Sequence, residues 1–185
     1  MTRETPSQTV GPFFAYGLVA KQYGYQDNQL VDGELVTDPA AQRIRIVGQV
    51  IDGEGNTVPD ALVEIWQADP NGKYNTPGFN GFGRQGTGTN PGDTFVFDTV
   101  KPGSADGQAP HVAVVVLMRG LLSHLFTRIY FADEAEANAR DPVLNLVPED
   151  RRGTLVAWRD QSSTTPLYRF DIRLQGENET VFFDV

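Results

Sequence analysis

The most informative absence in this sequence is cysteine. Its 185 residues contain no cysteine and only two histidines, His111 and His124. A disulfide framework, a zinc knuckle, an iron–sulfur cluster and a thiol nucleophile are therefore excluded. Two imidazoles are few for a transition-metal site, so a metal would have to be held by oxygen ligands or by a second protein.

Positive charge is also scarce. Asp and Glu number 24 against 15 Lys and Arg, which gives a formal net charge of −9. Because the sequence has no run of Lys or Arg, we expect no nucleic-acid partner. No apolar run approaches the roughly 18 residues of a membrane span, and the first six residues lack the apolar core of a signal peptide. We therefore expect no membrane partner and a cytoplasmic location.

Glycine and proline are plentiful, at 19 and 12 residues, which favours turns and short strands over long helices. The segment 135–140 predicts a short helix that ends before Pro142, and the glycine-rich segment 75–93 predicts a long loop. We therefore predict an all-β fold, an antiparallel β-sandwich of about eight strands with one short helix and long loops. The predicted strands are residues 43–51, 61–68, 94–100, 111–118, 124–131, 154–158, 167–174 and 180–183.

Three finer expectations follow from the same patterns. Segments 43–51 and 61–68 are separated by a Gly/Asn-rich turn, so they are predicted to form a hairpin or to lie near each other in a Greek key. Segment 111–118 is continuously apolar, which is typical of a central strand buried on both faces. Residues 1–42 are predicted to be an N-terminal arm that packs on its own core or on a partner chain, and residues 43–185 the sandwich domain.

Two side chains are candidate metal ligands. Tyr74 follows a Pro-Asn-Gly-Lys turn and could present a phenolate, a hard ligand suited to ferric iron. His111 starts a predicted strand, but the next position on its face is Ala113, so no second imidazole accompanies it. The structural alternatives are a loop aromatic that covers the end of the sandwich, for Tyr74, and a core histidine bonded to a backbone carbonyl, for His111.

Several segments together resemble a known family. They are Glu-Ile-Trp-Gln-Ala at 64–68, Asn-Gly-Lys-Tyr at 71–74, Ser-Gln-Thr-Val-Gly-Pro-Phe-Phe at 7–14, Lys-Pro-Gly at 101–103 and Thr-Arg-Ile-Tyr-Phe at 127–131. With these motifs the chain is similar to the intradiol ring-cleaving dioxygenases over most of its length. The similarity is greatest to the chain that lacks iron in the two-chain members of that family.

The resemblance implies a ligand set that this chain has only in part. The family binds non-haem Fe(III) through two Tyr and two His, and Tyr74 and His111 stand at the first position of each pair. The second His is replaced by Ala113, a helper Arg by Gln108, and the stretch expected to carry the second Tyr reads Ser-Ala-Asp-Gly at 104–107. The resemblance therefore implies that Tyr74 and His111 are vestigial, that this chain holds no metal, and that a homologous beta chain binds the Fe(III).

The resemblance also implies a role for this chain. Thr9, Gly11 and Pro12 would line the substrate pocket of the adjoining beta chain, and Arg128 is a further candidate because the substrate carries a carboxylate. The assembled hetero-oligomer would use O2 to cleave 3,4-dihydroxybenzoate (protocatechuate) to 3-carboxy-cis,cis-muconate. The structural alternative for Arg128 is a surface ion pair.

Two other functions are compatible with the same residues. One is a self-contained dioxygenase that uses Tyr74 and His111 with unexpected further ligands. The other is a non-enzymatic binding module, because the pattern around residues 47–63 also resembles transthyretin-like domains. Such domains lack the Trp-Gln-Ala segment that leads to Tyr74, and they lack the aromatic N-terminal arm.

Overall fold

A computed structural model describes residues 5–11, 13–25, 30–36 and 41–185 of the chain. Alternating apolar residues form most of the strands, as the sequence predicts. The strands are β1 Arg43–Ile51, β2 Leu62–Gln67, β3 Phe82–Gly86, β4 Thr94–Val100, β5 His111–Leu117, β6 Leu125–Phe131, β7 Val156–Asp160, β8 Leu167–Arg169 and β9 Ile172–Arg173.

The strands form one sheet in the order β3-β2-β5-β6-β7-β8-β1-β4, and β9 also pairs with β1. The mostly-β prediction is confirmed, but the expectation of a purely antiparallel sandwich is only partly right. The β1–β8, β1–β9 and β6–β7 pairs are parallel. A parallel pair needs a long connection that returns the chain to the same end of the sheet, and no local pattern in the sequence signals such a connection.

The other local expectations also need correction. β1 and β2 are neither paired nor adjacent, so the hairpin prediction is wrong. The loop predicted for 75–93 contains β3, which pairs with β2 in antiparallel register. The predicted final strand at 180–183 is reduced to an isolated bridge between Phe126 and Phe183. β5 buries Val112, Val114 and Val116 in the core, whereas on its other face only His111 is buried, so the expectation of burial on both faces is wrong for most of the strand.

Residues 32–35 connect β3 and β4, the two strands at opposite ends of the sheet. The carbonyl of Asp32 accepts the amide of Arg84 in β3 at 3.0 Å. The carbonyl of Gly33 accepts the amide of Asp98 in β4 at 2.8 Å, and the Leu35 amide donates to the Asp98 carbonyl at the same distance. This segment bridges β3 and β4, so the sheet is nearly closed into a barrel-like sandwich.

The inward faces of the strands form the main core, with Ile46, Phe95, Phe97, Val114 and Ile129 among its members. A second, smaller cluster surrounds Tyr130 and Leu155. Burial of these apolar side chains supplies most of the driving force for folding.

The described residues contain two α-helices, α1 Phe14–Leu18 and α2 Ala135–Arg140. The prediction for 135–140 is therefore confirmed, whereas α1 was not predicted because its sequence follows a proline-rich stretch. Ala15 and Val19 of this segment are buried against Leu62. Short 3₁₀ helices span Ala20–Tyr23, Ala132–Glu134, Leu144–Leu146 and Glu149–Leu155. Within the described ranges, no helix is long and apolar enough to cross a membrane.

Candidate functional site

The outward face of β2, β5 and β6 brings several of the predicted site residues together. Trp66 is the register partner of Ala113, and Ala113 is the register partner of Arg128. Register partners lie side by side on the same face, so the three side chains form a row across the sheet. Trp66 is 39% exposed, and Ala113 is half-buried beside it.

Tyr74 reaches this row from the turn after β2. The turn is built by Asp69, whose carboxylate accepts the amides of Asn71 at 2.8 Å and Lys73 at 3.0 Å. Tyr74 then stacks on Trp66 with the rings 6.0 Å apart and 8° from parallel. Burial raises the pKa of the phenol, and the positive charge of Arg128 opposes that shift. The phenol is therefore protonated at neutral pH.

His111 lies at the start of β5 and is buried. Its Nδ1 lies 2.8 Å from the carbonyl oxygen of Ala109, as the structural alternative for this residue predicted. A carbonyl only accepts hydrogen bonds, so this contact assigns the proton to Nδ1 and leaves the lone pair on Nε2. Burial lowers the pKa of His111, so the ring is neutral.

The Arg128 guanidinium is held by neutral groups. Its Nη1 donates to Gln108 Oε1 at 2.6 Å and lies 3.4 Å from the Tyr130 hydroxyl, and the group also lies 5.9 Å from the centre of the Phe183 ring. No carboxylate in the described part of the chain pairs with it, so the surface ion pair considered for this residue is not formed. The described cations that do pair with carboxylates are Lys21, Arg43, Arg45, Arg84, Lys101, Arg119 and Arg169.

A buried carboxylate supports this arrangement from behind. Asp141 accepts the Tyr130 hydroxyl at 3.0 Å and the backbone amides of Ala109, Val143 and Leu144 at 2.7 to 2.9 Å. A buried carboxylate needs this many donors to offset its loss of hydration. Burial is the largest cause that raises the pKa of Tyr130 to about 12, so its hydroxyl stays protonated. Asp141 thereby positions the Tyr130 phenol beside Arg128 and, through the Ala109 amide, the Ala109 carbonyl beside His111.

The side chains on this face do not fit a ferric ion. His111 and Tyr74 are one imidazole and one protonated phenol, and Ala113 offers no donor. The positive charge of Arg128 opposes the rise in the pKa of Tyr74 and adds to the fall in that of His111, so a fixed cation acts on both groups and disfavours a bound metal. The described residues also contain no group of three or more His, Asp or Glu side chains arranged to hold a metal ion.

The N-terminal arm lies at a different place. Thr9 Oγ1 accepts the amide of Gly120 at 2.8 Å, in the turn that follows β5. Gly11 is exposed, and Pro12 lies outside the described residues. β5 has seven residues and spans about 20 Å, so the arm sits at the opposite end of that strand from His111. Within this chain, Thr9 and Gly11 are therefore not brought together with Tyr74, His111 and Arg128.

Sequence reasoning missed the residues that hold Arg128 in place. Gln108 entered only as the replacement of an expected Arg, and Tyr130 and Asp141 were not singled out. The alternation of side chains along β6 places Arg128 and Tyr130 on the same face, so the sequence alone could have predicted that they lie side by side. Nothing local in the sequence connects Asp141, 11 residues after Tyr130, with that face.

Two grooves of about 440 Å³ lie elsewhere, against residues 30–35. Both include Asp32 and Glu34 in their walls. Asp32 and Glu34 are paired with Lys21 and Arg43. The cations that line the grooves, Lys21 and Arg45, each pair with a carboxylate as well, so neither groove holds the free charge that a carboxylated substrate needs.

Comparison with known proteins places the chain in a family. A family model described as Dioxygenase matches residues 11–176. The protocatechuate 3,4-dioxygenase alpha chain of Burkholderia cepacia is 53% identical over 193 residues, covering 99% of this chain and 98% of that one. This chain belongs to the intradiol ring-cleaving dioxygenase family.

Both chain types of the two-chain intradiol dioxygenases are related to it. The protocatechuate 3,4-dioxygenase beta chain of Burkholderia cepacia is 31% identical over 189 residues, covering 87% of this chain and 79% of that one. Among solved structures, the dioxygenase domain of a carbohydrate-binding fusion protein from Streptomyces sp. SirexAA-E aligns with a TM-score of 0.62. That alignment has 23% identity and covers 95% of this chain and all of that one, so it supports the intradiol dioxygenase fold alone. The near full-length match to the Burkholderia alpha chain favours a dioxygenase subunit over a transthyretin-like module.

Proposed function

We propose that this chain is the alpha subunit of a protocatechuate 3,4-dioxygenase, which assembles with a homologous beta chain and completes the substrate pocket of that chain. The observation that carries the proposal is the state of Arg128. Its positive charge has no carboxylate partner among the described residues, and it stands on a face whose donors do not fit iron. Through this face the chain would contribute the positive charge of Arg128 to the pocket of the beta chain, and it would contribute no bound iron.

In this proposal the non-haem Fe(III) belongs to the beta chain and supplies the ring-cleaving chemistry. The complex uses O2 to convert 3,4-dihydroxybenzoate to 3-carboxy-cis,cis-muconate. The contribution of this chain is the recognition of the substrate carboxylate. A carboxylate that leaves water needs a charged or multiple-donor partner, and a guanidinium matches it with two parallel N–H donors. Arg128 Nη2 and Nε make no hydrogen bond within the described ranges, so both are available to a ligand.

We further propose that Thr9, Gly11 and Pro12 line the pocket of an adjoining beta chain. Gly11 supports this idea because a methyl group added there would meet no atom of the described structure within 4 Å. Nothing described in this chain therefore requires glycine at position 11, whereas a partner that approaches closely would. Phe13 and Leu30 on the same N-terminal region are 77% and 92% exposed, as expected for surfaces that a second chain covers.

The proposal extends to assembly and location. The related alpha and beta chains of Burkholderia cepacia support a hetero-oligomer of the two chain types, which we place in the cytoplasm. Its substrates are a small aromatic acid and O2, with no nucleic-acid or membrane partner.

Production of this chain with and without its beta chain tests the proposal. We expect the chain alone to be inactive or unstable and to contain no iron. The co-purified complex should contain iron and cleave 3,4-dihydroxybenzoate, as followed by the loss of its ultraviolet absorbance. Iron binding and ring cleavage by this chain alone would contradict the subunit proposal and favour a self-contained dioxygenase.

Removal of residues 1–12 tests the arm. In the complex, we expect this truncation to raise the KM for 3,4-dihydroxybenzoate or to weaken assembly, because the pocket loses one wall. Unchanged kinetics together with unchanged assembly would show that the arm has no role in the pocket.

A further inference from the structure

The groups around Arg128 point to a residue that sets substrate selectivity. Seven of the fourteen described Lys and Arg side chains pair with carboxylates, and Arg128 is one of the seven that do not. Of the unpaired seven, Arg128 is the one that stands on the face of Tyr74 and His111. Arg128 bonds to an amide oxygen of Gln108 and contacts the hydroxyl of Tyr130. Neutral acceptors fix the orientation of a guanidinium and leave its full charge available.

The backbone delivers Gln108 to this position by a tight turn. Asp106 and Gly107 have φ angles of 51° and 75°, and the Gln108 amide donates to the Ala105 carbonyl at 2.8 Å. Two successive positive φ angles closed by this hydrogen bond are the signature of a type I′ turn, for which Asp-Gly is a favoured sequence. The turn occupies the stretch that the family resemblance associates with a tyrosine ligand.

The other side of Arg128 is equally well defined. Tyr130 donates its own proton to Asp141 at 3.0 Å, so its hydroxyl oxygen can only accept from Arg128. Nη1 therefore has both of its hydrogens directed at neutral oxygens, and the edge formed by Nη2 and Nε is left for a ligand. Phe183 lies under the group and limits its rotation.

We propose that Gln108 is a positioning residue that orients Arg128 toward the substrate carboxylate without neutralising it, and that it thereby sets the preference of the complex for carboxylated over plain catechols. This inference rests on the proposed function of the chain as an alpha subunit. Glu differs from Gln in one atom but carries a negative charge, which would pair with Arg128 in place of the substrate. Arg at this position would instead repel Arg128.

The test uses the complex with its beta chain and compares wild type with Gln108→Glu and Gln108→Leu. Gln161 is exposed on the turn between β7 and β8, so Gln161→Leu is the matched control. The KM and kcat are measured for 3,4-dihydroxybenzoate and for catechol, which has the same ring without the carboxylate. Binding of both compounds is measured by titration calorimetry under argon, where no turnover occurs.

We expect Gln108→Glu to raise the KM and Kd for 3,4-dihydroxybenzoate roughly tenfold, the effect of losing one charge-assisted contact. Gln108→Leu should raise them about threefold, since the group keeps its charge and loses one hydrogen bond. The values for catechol and the control variant should match wild type. A misfolded variant would instead lower the activity toward both substrates equally.

Two results separate the possible failures. If the wild-type complex does not cleave 3,4-dihydroxybenzoate, the proposed function itself is wrong. If the wild-type complex cleaves it, but Gln108→Glu leaves the ratio between the two substrates unchanged, the proposed function stands and the positioning role of Gln108 is overturned.

Discussion

Thr99 donates a hydrogen bond to Gln67 inside the core, with 2.9 Å between the hydroxyl and the amide oxygen. Gln67 is fully buried, and its amide nitrogen donates to the carbonyls of Ala68 and Val100. This explains why a polar residue follows Trp66 at the end of β2. Trp66 points outward to the candidate site, whereas Gln67 points inward and connects β2 to the end of β4.

Loss of the Thr99 hydroxyl should destabilise the fold. Thr99→Val keeps the shape of the side chain but leaves the buried Gln67 oxygen without its donor, which costs about 1 to 3 kcal/mol. The measurement is the urea midpoint of the purified complex. Thr165 is exposed, so Thr165→Val is the control, and it should leave the midpoint unchanged. Equal midpoints for the two variants would show that the Gln67 oxygen is satisfied in another way.

A side chain at Gly48 should prevent folding. A Cβ added there would overlap the carbonyl oxygen of Phe170, where the chain passes from β8 to β9 alongside β1. Neither backbone can move away without breaking strand pairing, so we expect Gly48→Ala to cost about 3 kcal/mol or more. Soluble yield and the thermal midpoint report the effect. A methyl group added at Gly153 meets nothing within 4 Å of the described structure, so Gly153→Ala should behave as wild type.

Tyr130 should make the fold sensitive to high pH. Its pKa rises from 10.0 to about 12, so between these values the unfolded chain releases a proton that the folded chain retains. Its stabilising contribution is complete below pH 10 and is lost as the pH rises to 12, a change of about 3 kcal/mol. Thermal midpoints across that range measure it. Tyr130→Phe should weaken the dependence, and an unchanged slope would exclude Tyr130 as its source.

Restoration of the missing histidine should not restore an iron site. Ala113→His adds an imidazole on the face of His111, but the Arg128 charge and the absence of a second tyrosine remain. We therefore expect the iron content per alpha–beta pair to equal that of wild type, measured by elemental analysis. A second iron per pair would mean that the guanidinium moves aside and that the donors of this face suffice.

The sequence predicts those parts of the fold that have a local cause. β4 occupies the predicted residues because its apolar side chains alternate along Thr94–Val100. β3 was missed because Gly83 and Gly86 give it no alternating pattern. Gly83 lies against Leu35, and a Cβ there would come within 2.5 Å of the Leu35 side chain. β3 forms because it pairs with β2, and the strand propensity of its own residues carries no information about that pairing.

The candidate site divides in the same way. Tyr74, His111 and Ala113 can be placed from motif and spacing, and Arg128 from its strand. The contacts of Arg128 with Gln108 and Tyr130 can be inferred only when the β5–β6 register and the turn at 105–108 are known. The contact between Asp141 and Ala109 joins positions 32 residues apart, which no periodicity predicts.

The bridge formed by residues 32–35 has a consequence for synthesis of the chain. Its hydrogen-bond partners, Arg84 and Asp98, lie about fifty to sixty-five residues further along the chain. Synthesis proceeds from the amino end, so residues 32–35 are made before β3 and β4 and cannot form these hydrogen bonds until those strands exist. Residues 32–35 are thus made well before they can settle in place, and throughout that interval the apolar side chain of Leu35 remains available to a second polypeptide.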